Sequence, residues 1–437
     1  MSSTPSETGP LRLGIAGLGT VGIGVVKIIR REAETLAARG GRPLVITAVS
    51  ARDPKKNRDA DLSGYAWETD PVQLAKRDDV DVFIEVMGGH EGAAKDATEA
   101  ALALGKHVVT ANKALLAHHG QALAELAEKT GAALRFEAAV AGGIPVIKAL
   151  TEGLAGNRIK RVMGVMNGTC NYILTRMQSA GLPYETVFEE ARQLGYLEAD
   201  PNLDVGGIDA GHKLSLLAAI AFGTRVSFDK VELEGIGNVS IDDINLADDM
   251  GYHIKLLGVA QMTGRGLEQR MTPCLVPAES PLGQLQGGTN MVVLEGDAVG
   301  QIVMRGAGAG EGPTASAVMG DVIDIARGYR RPVFGIPAGQ LTDPVAARSA
   351  TPAPYYLRMR LQDKPGALAK VATCLGEAGI SIDQMRQINQ PDADDGDAIV
   401  LIVTHKAAPA DVSHALTQFN VTGVLVGTPV AIRIEEV

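Results

Sequence analysis

Cysteine is scarce in this chain of 437 residues, and the three present, Cys170, Cys274 and Cys374, are widely spaced. An odd, scattered set supports neither a disulfide framework nor a zinc cluster and points to a reducing compartment. Basic charge is also in deficit: 41 Lys and Arg face 51 Asp and Glu, for a net charge of −10. Nucleic acid or an anionic membrane surface calls for a dominant cationic patch, so neither partner is expected. No apolar run is long enough to span a bilayer, and the greasiest, Leu214–Phe222, reads as a buried helix. The opening MSSTPSETGP (1–10) has neither the apolar core of a signal peptide nor the arginines of a transit peptide. It reads as a disordered tail, and these absences together predict a cytoplasmic protein. An apolar fraction of 46% and a charged fraction of 21% belong to a globular protein, and the length calls for more than one core.

What is present begins with LRLGIAGLGTVGIG at 11–24, an apolar strand running into a glycine turn and then a helix. Gly17 permits the tight bend and Gly19 lets backbone amides approach a pyrophosphate. Gly22 lets the helix pack close to the strand; Leu18, Thr20 and Val21 complete the cofactor-binding turn. Apolar β-type runs at Leu11–Ala16, Leu44–Ser50, Asp81–Met87, His107–Thr110 and Leu134–Val140 alternate with helical sequence. That alternation predicts an α/β protein with a Rossmann-type parallel sheet over 11–142. A second glycine turn opening a helix, GAGAGEGPTASAVMGDVIDIA at 306–326, predicts that 306–340 returns to complete that domain. Residues 143–305 then form an inserted α/β (α+β) domain for substrate binding, catalysis and dimerisation. Residues 341–354, ending in ARSATPAP, read as a linker. From 355 to 437 the order is βαββαβ, a ferredoxin-like unit.

The end of the second strand, Val49–Ser50–Ala51–Arg52, lacks the carboxylate that an NAD site commonly uses for the ribose 2′-hydroxyl. Arg52 can instead fork a 2′-phosphate, with Lys55 and Lys56 following, so NADP(H) is preferred and NAD(H) stays open. A solvated basic loop is the plainer reading. Lys113, just past HVVTAN, lies at the carboxyl end of a parallel strand, where open α/β sheets bind ligands. The stretch GYLEADPNLDVGGIDAGHK at 195–213 crowds Glu198, Asp200, Asp204, Asp209 and Lys213 before an apolar helix. Asp209 and Lys213 stand four apart on one helical face, and a lysine adjoining so apolar a helix needs a carboxylate partner. Burial there would make it a proton donor. His90, His118, His119 and His212 show no metal-ligand spacing and receive no role.

With GLGTVG, ANK (111–113), FEAAVAGGIP (136–145), MNGTCNYIL (166–174), the 195–213 stretch and GAGAGEGPTASAV (306–318) in that order, the chain resembles the homoserine dehydrogenases. DKPGALAKVATCLGEAGISI in the tail resembles an ACT domain. The resemblance implies interconversion of L-aspartate 4-semialdehyde and L-homoserine with NAD(P)H, on the route to threonine, methionine and isoleucine. It implies Lys213 as proton donor and Lys113 shared between cofactor and substrate. Glu198 and Asp209 are similar to the family's substrate-holding residues, and Gly17–Gly22, Gly195 and Gly310 to its cofactor contacts. A structural sodium ion is implied at the Glu137 carboxylate and the carbonyls of Val140, Gly142 and Ile144; carbonyl oxygens suit a hard cation. A homodimer or homotetramer and an amino-acid effector at the ACT domain, L-threonine being one candidate, follow from the same likeness. Two rivals share the scaffold. An aspartate dehydrogenase is opposed by Lys113 and Lys213 with Glu198, and a non-catalytic dinucleotide and amino-acid sensor would need no proton donor.

Overall fold

A computed structural model describes residues 9–197, 200–389 and 397–436. The N-terminal third builds six strands: β1 (Leu11–Ala16), β2 (Leu44–Ser50), β3 (Ala66–Glu68), β4 (Val82–Glu85), β5 (His107–Thr110) and β6 (Leu134–Arg135). All pair in parallel, in the order β3-β2-β1-β4-β5-β6. The strands are apolar on both faces because both faces are covered. On one side Val82 and Ile84 pack with the helices Thr20–Arg31, Ala33–Gly40 and Glu311–Ala326. On the other, Phe83 and Val108 pack with Pro71–Lys76, Ala93–Ala103 and Lys113–Thr130. The helix that follows the second glycine turn thus lies in the first sheet's own layer.

The run expected as a strand over Leu134–Val140 stops at Arg135, and Glu137–Ala139 is a 3-10 turn. Tertiary bonds decide this. The Glu137 amide donates to the Asp321 carboxylate (2.8 Å), while the Glu137 carboxylate accepts the amides of Ile147 and Lys148 (both 2.9 Å). A chain bonded that way cannot continue a sheet ladder.

The rest of the chain forms one continuous mixed sheet. Its strands are β7 (Ile159–Val165), β8 (Glu232–Leu233), β9 (Tyr252–Thr263), β10 (Gly266–Pro277), β11 (Thr289–Gly296), β12 (Gly300–Ala307), β13 (Tyr355–Gln362), β14 (Ile382–Asn389), β15 (Asp397–Thr404) and β16 (Leu425–Ile434). Their order is β12-β11-β7-β9-β10-β16-β13-β15-β14, with β8 on β10. The C-terminal βαββαβ unit is therefore joined edge to edge to the preceding domain, β16 running parallel to β10 at Cys274↔Arg433 and Leu275↔Ile434. Charged pairs secure that seam: buried Arg270 pairs with Glu435, which also takes Arg433, and half-buried Arg161 reaches the Glu435 carboxylate at 3.7 Å. Residues 341–354 are held along their length by bridges Thr224↔Thr342, Leu267↔Ala346 and Ala353↔Ala407.

The helix Ile208–Phe222 decides where the two sheets meet. It is apolar nearly all round, because it packs on β9 and β10 with one side and on the Lys113–Thr130 helix with the other. Its first turn thereby arrives at the carboxyl ends of the parallel strands.

Candidate active site

Gly17 holds φ +100, and a Cβ there would stand 2.5 Å from the Val86 carbonyl oxygen; one on Gly22 would stand 1.9 Å from the Gly17 carbonyl oxygen. Only glycine fits either place. At Gly19 a Cβ would meet nothing within 4 Å, and the helix that starts at Thr20 has no side-chain cap, so no cap side chain competes for its first amides. That is a ready anion site, and its chemistry fits a pyrophosphate. Leu18 is buried, Val21 half-buried and Thr20 exposed beside it. Gly310, at φ +117, precedes the second helix at this place, and Lys27 bridges the two helices by its bond to Glu311 (3.0 Å).

Past β2, Arg52 is exposed and no carboxylate stands at Ser50 or Ala51. Arg58, which sequence reasoning passed over, donates to the carbonyl oxygens of Leu18 (3.1 Å), Lys56 (2.9 Å) and Asp53 (2.9 Å), with its guanidinium 5.6 Å from the centre of the Trp67 ring. It clamps the basic loop against the glycine turn. A single arginine in a polar loop gives no pattern by which to find it.

Asp209 is the hub of the second cluster. Its Oδ2 accepts Lys213 Nζ at 2.7 Å and Asn167 Nδ2 at 3.1 Å, and its Oδ1 faces Lys113 Nζ at 3.0 Å. Burial pushes the Asp209 carboxyl up, but the charges of Lys213 and Lys113 and their hydrogen bonds outweigh it and hold the group well below the usual carboxylate range. Lys213 also donates to the Met166 carbonyl oxygen at 2.8 Å, so two of its three N–H groups are engaged by described residues. Asn167 caps the helix Gly168–Ala180 by accepting the Cys170 amide (2.8 Å) and donates to buried Asp204 (2.9 Å). Asn167 and Asp204 belong to the cluster, although sequence reasoning gave neither a role. An N-cap asparagine before an apolar run was the available signal for the first.

Gly195, at φ +74, ends the helix Tyr184–Gln193, and the next residue accepts the Thr169 hydroxyl (2.9 Å) at the start of the Asn167-capped helix. Glu198 lies outside the described residues. His212 turns away from Lys213: its ring lies 4.2 Å from Phe228 and 5.6 Å from His118, which stacks on His90 at 4.3 Å. Burial, aided by His118, pushes the His212 imidazole down to about 4. Among the described residues no group of three His, Cys, Asp or Glu could hold a metal ion. A groove of about 580 Å³ lies on the helical flank, lined by Lys27, Arg39, Glu311 and Arg327, and holds none of the Asp209 cluster.

At the implied sodium loop, Ala141 (φ +55) and Gly142 (φ +54) are successive left-handed residues, and the Gly143 amide meets the Ala307 carbonyl oxygen (3.0 Å). The Glu137 carboxyl is pushed up to about 7 by burial and by Asp321, and it already accepts two amides.

Parallel sheets with this strand order take dinucleotides across the crevice where the order reverses. Here an acid shared by two ammonium groups stands beside that crevice, an arrangement suited to carbonyl reduction, and the class it defines is the NAD(P)-dependent oxidoreductases. The family model for the homoserine dehydrogenase NAD binding domain matches residues 17–137, that for homoserine dehydrogenase matches 145–323 and that for the ACT domain matches 355–427. The chain is similar to the homoserine dehydrogenase of Pseudomonas aeruginosa, 42% identical over 434 residues, covering 98% of this chain and 99% of that one. The crystal structure of a homoserine dehydrogenase from Thiobacillus denitrificans superposes with a TM-score of 0.92 at 38% identity, over 98% of this chain and 99% of that one. A hyperthermophilic archaeal homoserine dehydrogenase in complex with NADPH is more distant, with a TM-score of 0.62 at 26% identity over 73% of this chain and 98% of that one. The chain belongs to the homoserine dehydrogenase family.

Proposed function

We propose that this enzyme reduces L-aspartate 4-semialdehyde to L-homoserine, and the reverse, with Lys213 as the proton donor. The Lys213–Asp209–Lys113 triangle carries the reading. When bound, NADPH supplies the hydride. Lys213, held by Asp209 and by the Met166 carbonyl, keeps its ammonium aimed from a buried helix face, where it can stabilise a developing alkoxide and then protonate it. Lys113, at the carboxyl end of β5, adds a second cation between cofactor and substrate. Asp209 and Glu198 orient the substrate's polar groups, which lowers the entropic part of the barrier.

NADP is the preferred cofactor in this reading, supported by the carboxylate-free end of β2 and by the NADPH bound to the archaeal relative. Reduced-nicotinamide absorbance should fall with L-aspartate 4-semialdehyde and stay flat with oxaloacetate plus ammonia. Arg52→Ala should raise KM for NADPH several-fold while leaving that for NADH in place; equal losses on both cofactors would show that Arg52 does not read the 2′-phosphate. A structural sodium ion at Val140, Gly142 and Ile144 belongs to the same reading. The paired left-handed residues support it, and Glu137 would contribute only a further lone pair of its amide-bonded carboxylate. No catalytic step passes through it.

The ACT domain makes an amino-acid effector part of the proposal, with L-threonine the first to test, acting through a difference in affinity between two states of a homodimer or homotetramer. Besides the β10–β16 seam, Arg358 on β13 pairs with buried Asp243, the residue that closes the capping box of helix Ile241–Asp248. Titration of L-threonine against the initial rate should inhibit the full chain, and Arg358→Met, which cuts this tie without removing the domain, should shift the half-inhibiting concentration. An unshifted titration in that variant rules out transmission through the Arg358 tie. Ending the chain at Ser349 is the blunter test, because it also strips Glu435 from buried Arg270.

A further inference from the structure

Glu85, the last residue of β4, is fully buried at the switch between β1 and β4, and no ion pair of the described residues includes it. Its partners are neutral donors. Oε1 accepts the amides of Met87 (2.8 Å) and Gly88 (3.3 Å), and Oε2 accepts the Thr110 hydroxyl (2.6 Å). The Thr110 oxygen in turn accepts the Asn112 amide at 2.9 Å. Asn112 donates its side-chain amide to the Gly89 carbonyl oxygen (2.6 Å) and accepts the Leu115 amide (3.0 Å), capping the helix whose first residue is Lys113. One carboxylate thus binds the loop after β4 to the helix that carries Lys113. Burial pushes its carboxyl up despite these donors, so the charged form lacks full compensation from the protein.

The position of the crevice says what could complete it. The end of β2 reads the adenosine ribose in folds of this strand order, which leaves the nicotinamide half over the ends of β4 and β5. An oxidised nicotinamide ring is a cation and the reduced ring is neutral. Family membership supplies the cofactor class; the rest follows from the placement of Glu85.

We propose that Glu85 is a positioning residue for the nicotinamide half: it fixes the Met87–Gly89 loop and the Lys113 helix as one unit, and its buried carboxylate favours the oxidised ring over the reduced one.

Dissociation constants of NADP+ and NADPH, measured separately by calorimetry on the full chain without substrate, test this. Glu85→Gln keeps the shape and an oxygen for the Met87 and Gly88 amides but removes the charge. It should weaken NADP+ about tenfold while NADPH changes far less, the size expected of one charge acting at short range in a partly screened interior. Thr110→Val leaves Glu85 in place but removes the donor to Oε2, and it should change the ratio of the two constants by a smaller factor. A purely structural role would weaken both forms equally. Equal weakening, or an unchanged ratio in both variants, overturns the proposal; should Glu85→Gln fail to fold, an unchanged ratio in Thr110→Val is sufficient to do so.

Discussion

Replacement of Lys213 by alanine is expected to lower kcat by about 10²-fold or more while the dissociation constant for NADPH stays within about twofold. The reasoning starts from the helix. Lys213 sits one turn after Asp209 in Ile208–Phe222, among residues that are buried along almost the whole segment, and alanine preserves helix propensity there. The variant therefore loses an ammonium without losing the scaffold. Asp209 keeps Lys113 and Asn167 as partners, so the remaining carboxylate is not left without a counter-charge. What disappears is the buried donor that neutralises an alkoxide as hydride arrives. Steady-state rates with L-aspartate 4-semialdehyde and calorimetry with NADPH alone separate the two quantities. Turnover near that of the unaltered chain would remove Lys213 from the proton-transfer step. Equal losses in rate and cofactor affinity would point to a general collapse of the crevice.

Asp209→Asn is expected to cost both activity and stability. In the native site two ammonium groups share one buried carboxylate, and the amide offers a single acceptor oxygen in its place. Breaking a buried ion pair by removing one partner typically costs about 3–5 kcal/mol, because the surviving charge is left without compensation. Here two survive, although Lys113 is partly exposed and can relax toward water. A fall in kcat/KM of about 10²–10³-fold should accompany the loss, since the two lysines would no longer be held against the substrate. The pH dependence carries a definite sign. Asp209 has its folded-state value lowered below the unfolded carboxylate value of about 3.9, so the stability it contributes is fully present above that pH and is lost as pH falls through the lower folded value. Acid unfolding of Asp209→Asn should accordingly show a weaker pH dependence below about pH 4 than that of the parent chain. Thermal melts across that range read it directly. Coincident stability curves for parent and variant would dispose of the shared-acid arrangement.

The glycine turn was legible because its causes are local. A positive φ at Gly17 and a near-contact at Gly22 arise from residues within a few positions or on the adjoining strand, and the strand-turn-helix order surrounds them in sequence. The spacing of Asp209 and Lys213 was legible for a similar reason, since a helical repeat of about 3.6 residues puts them on one face. Lys113 was visible only as a lysine after a strand. Its partnership with Asp209 spans nearly a hundred positions and depends on the Ile208–Phe222 helix lying across the Lys113–Thr130 helix. Arg58 and Glu85 draw their roles from bonds to backbone groups far along the chain or across a turn, which no residue pattern announces, and Asn167, legible as an N-cap, gains its place in the cluster only through its long-range bond to the Asp209 carboxylate. The end of β6 at Arg135 was misjudged on the same ground: apolar residues continue to Val140, but hydrogen bonds to Asp321 and to the Ile147 and Lys148 amides remove the segment from the sheet.

The sequence by itself determined the alternation of strands and helices, the dinucleotide turn, the βαββαβ order of the C-terminal unit and the candidate acid on its helix, because each is set by periodicity, by backbone restrictions of glycine or by close spacing. The tertiary structure alone decided that Asp209 is shared by two lysines, that a buried carboxylate joins the β4 loop to the Lys113 helix, and that the C-terminal unit continues the preceding sheet through β16. Those outcomes come from pairings between distant segments. Their energies depend on burial and on the direction of individual donors, and neither quantity exists until the chain has closed on itself.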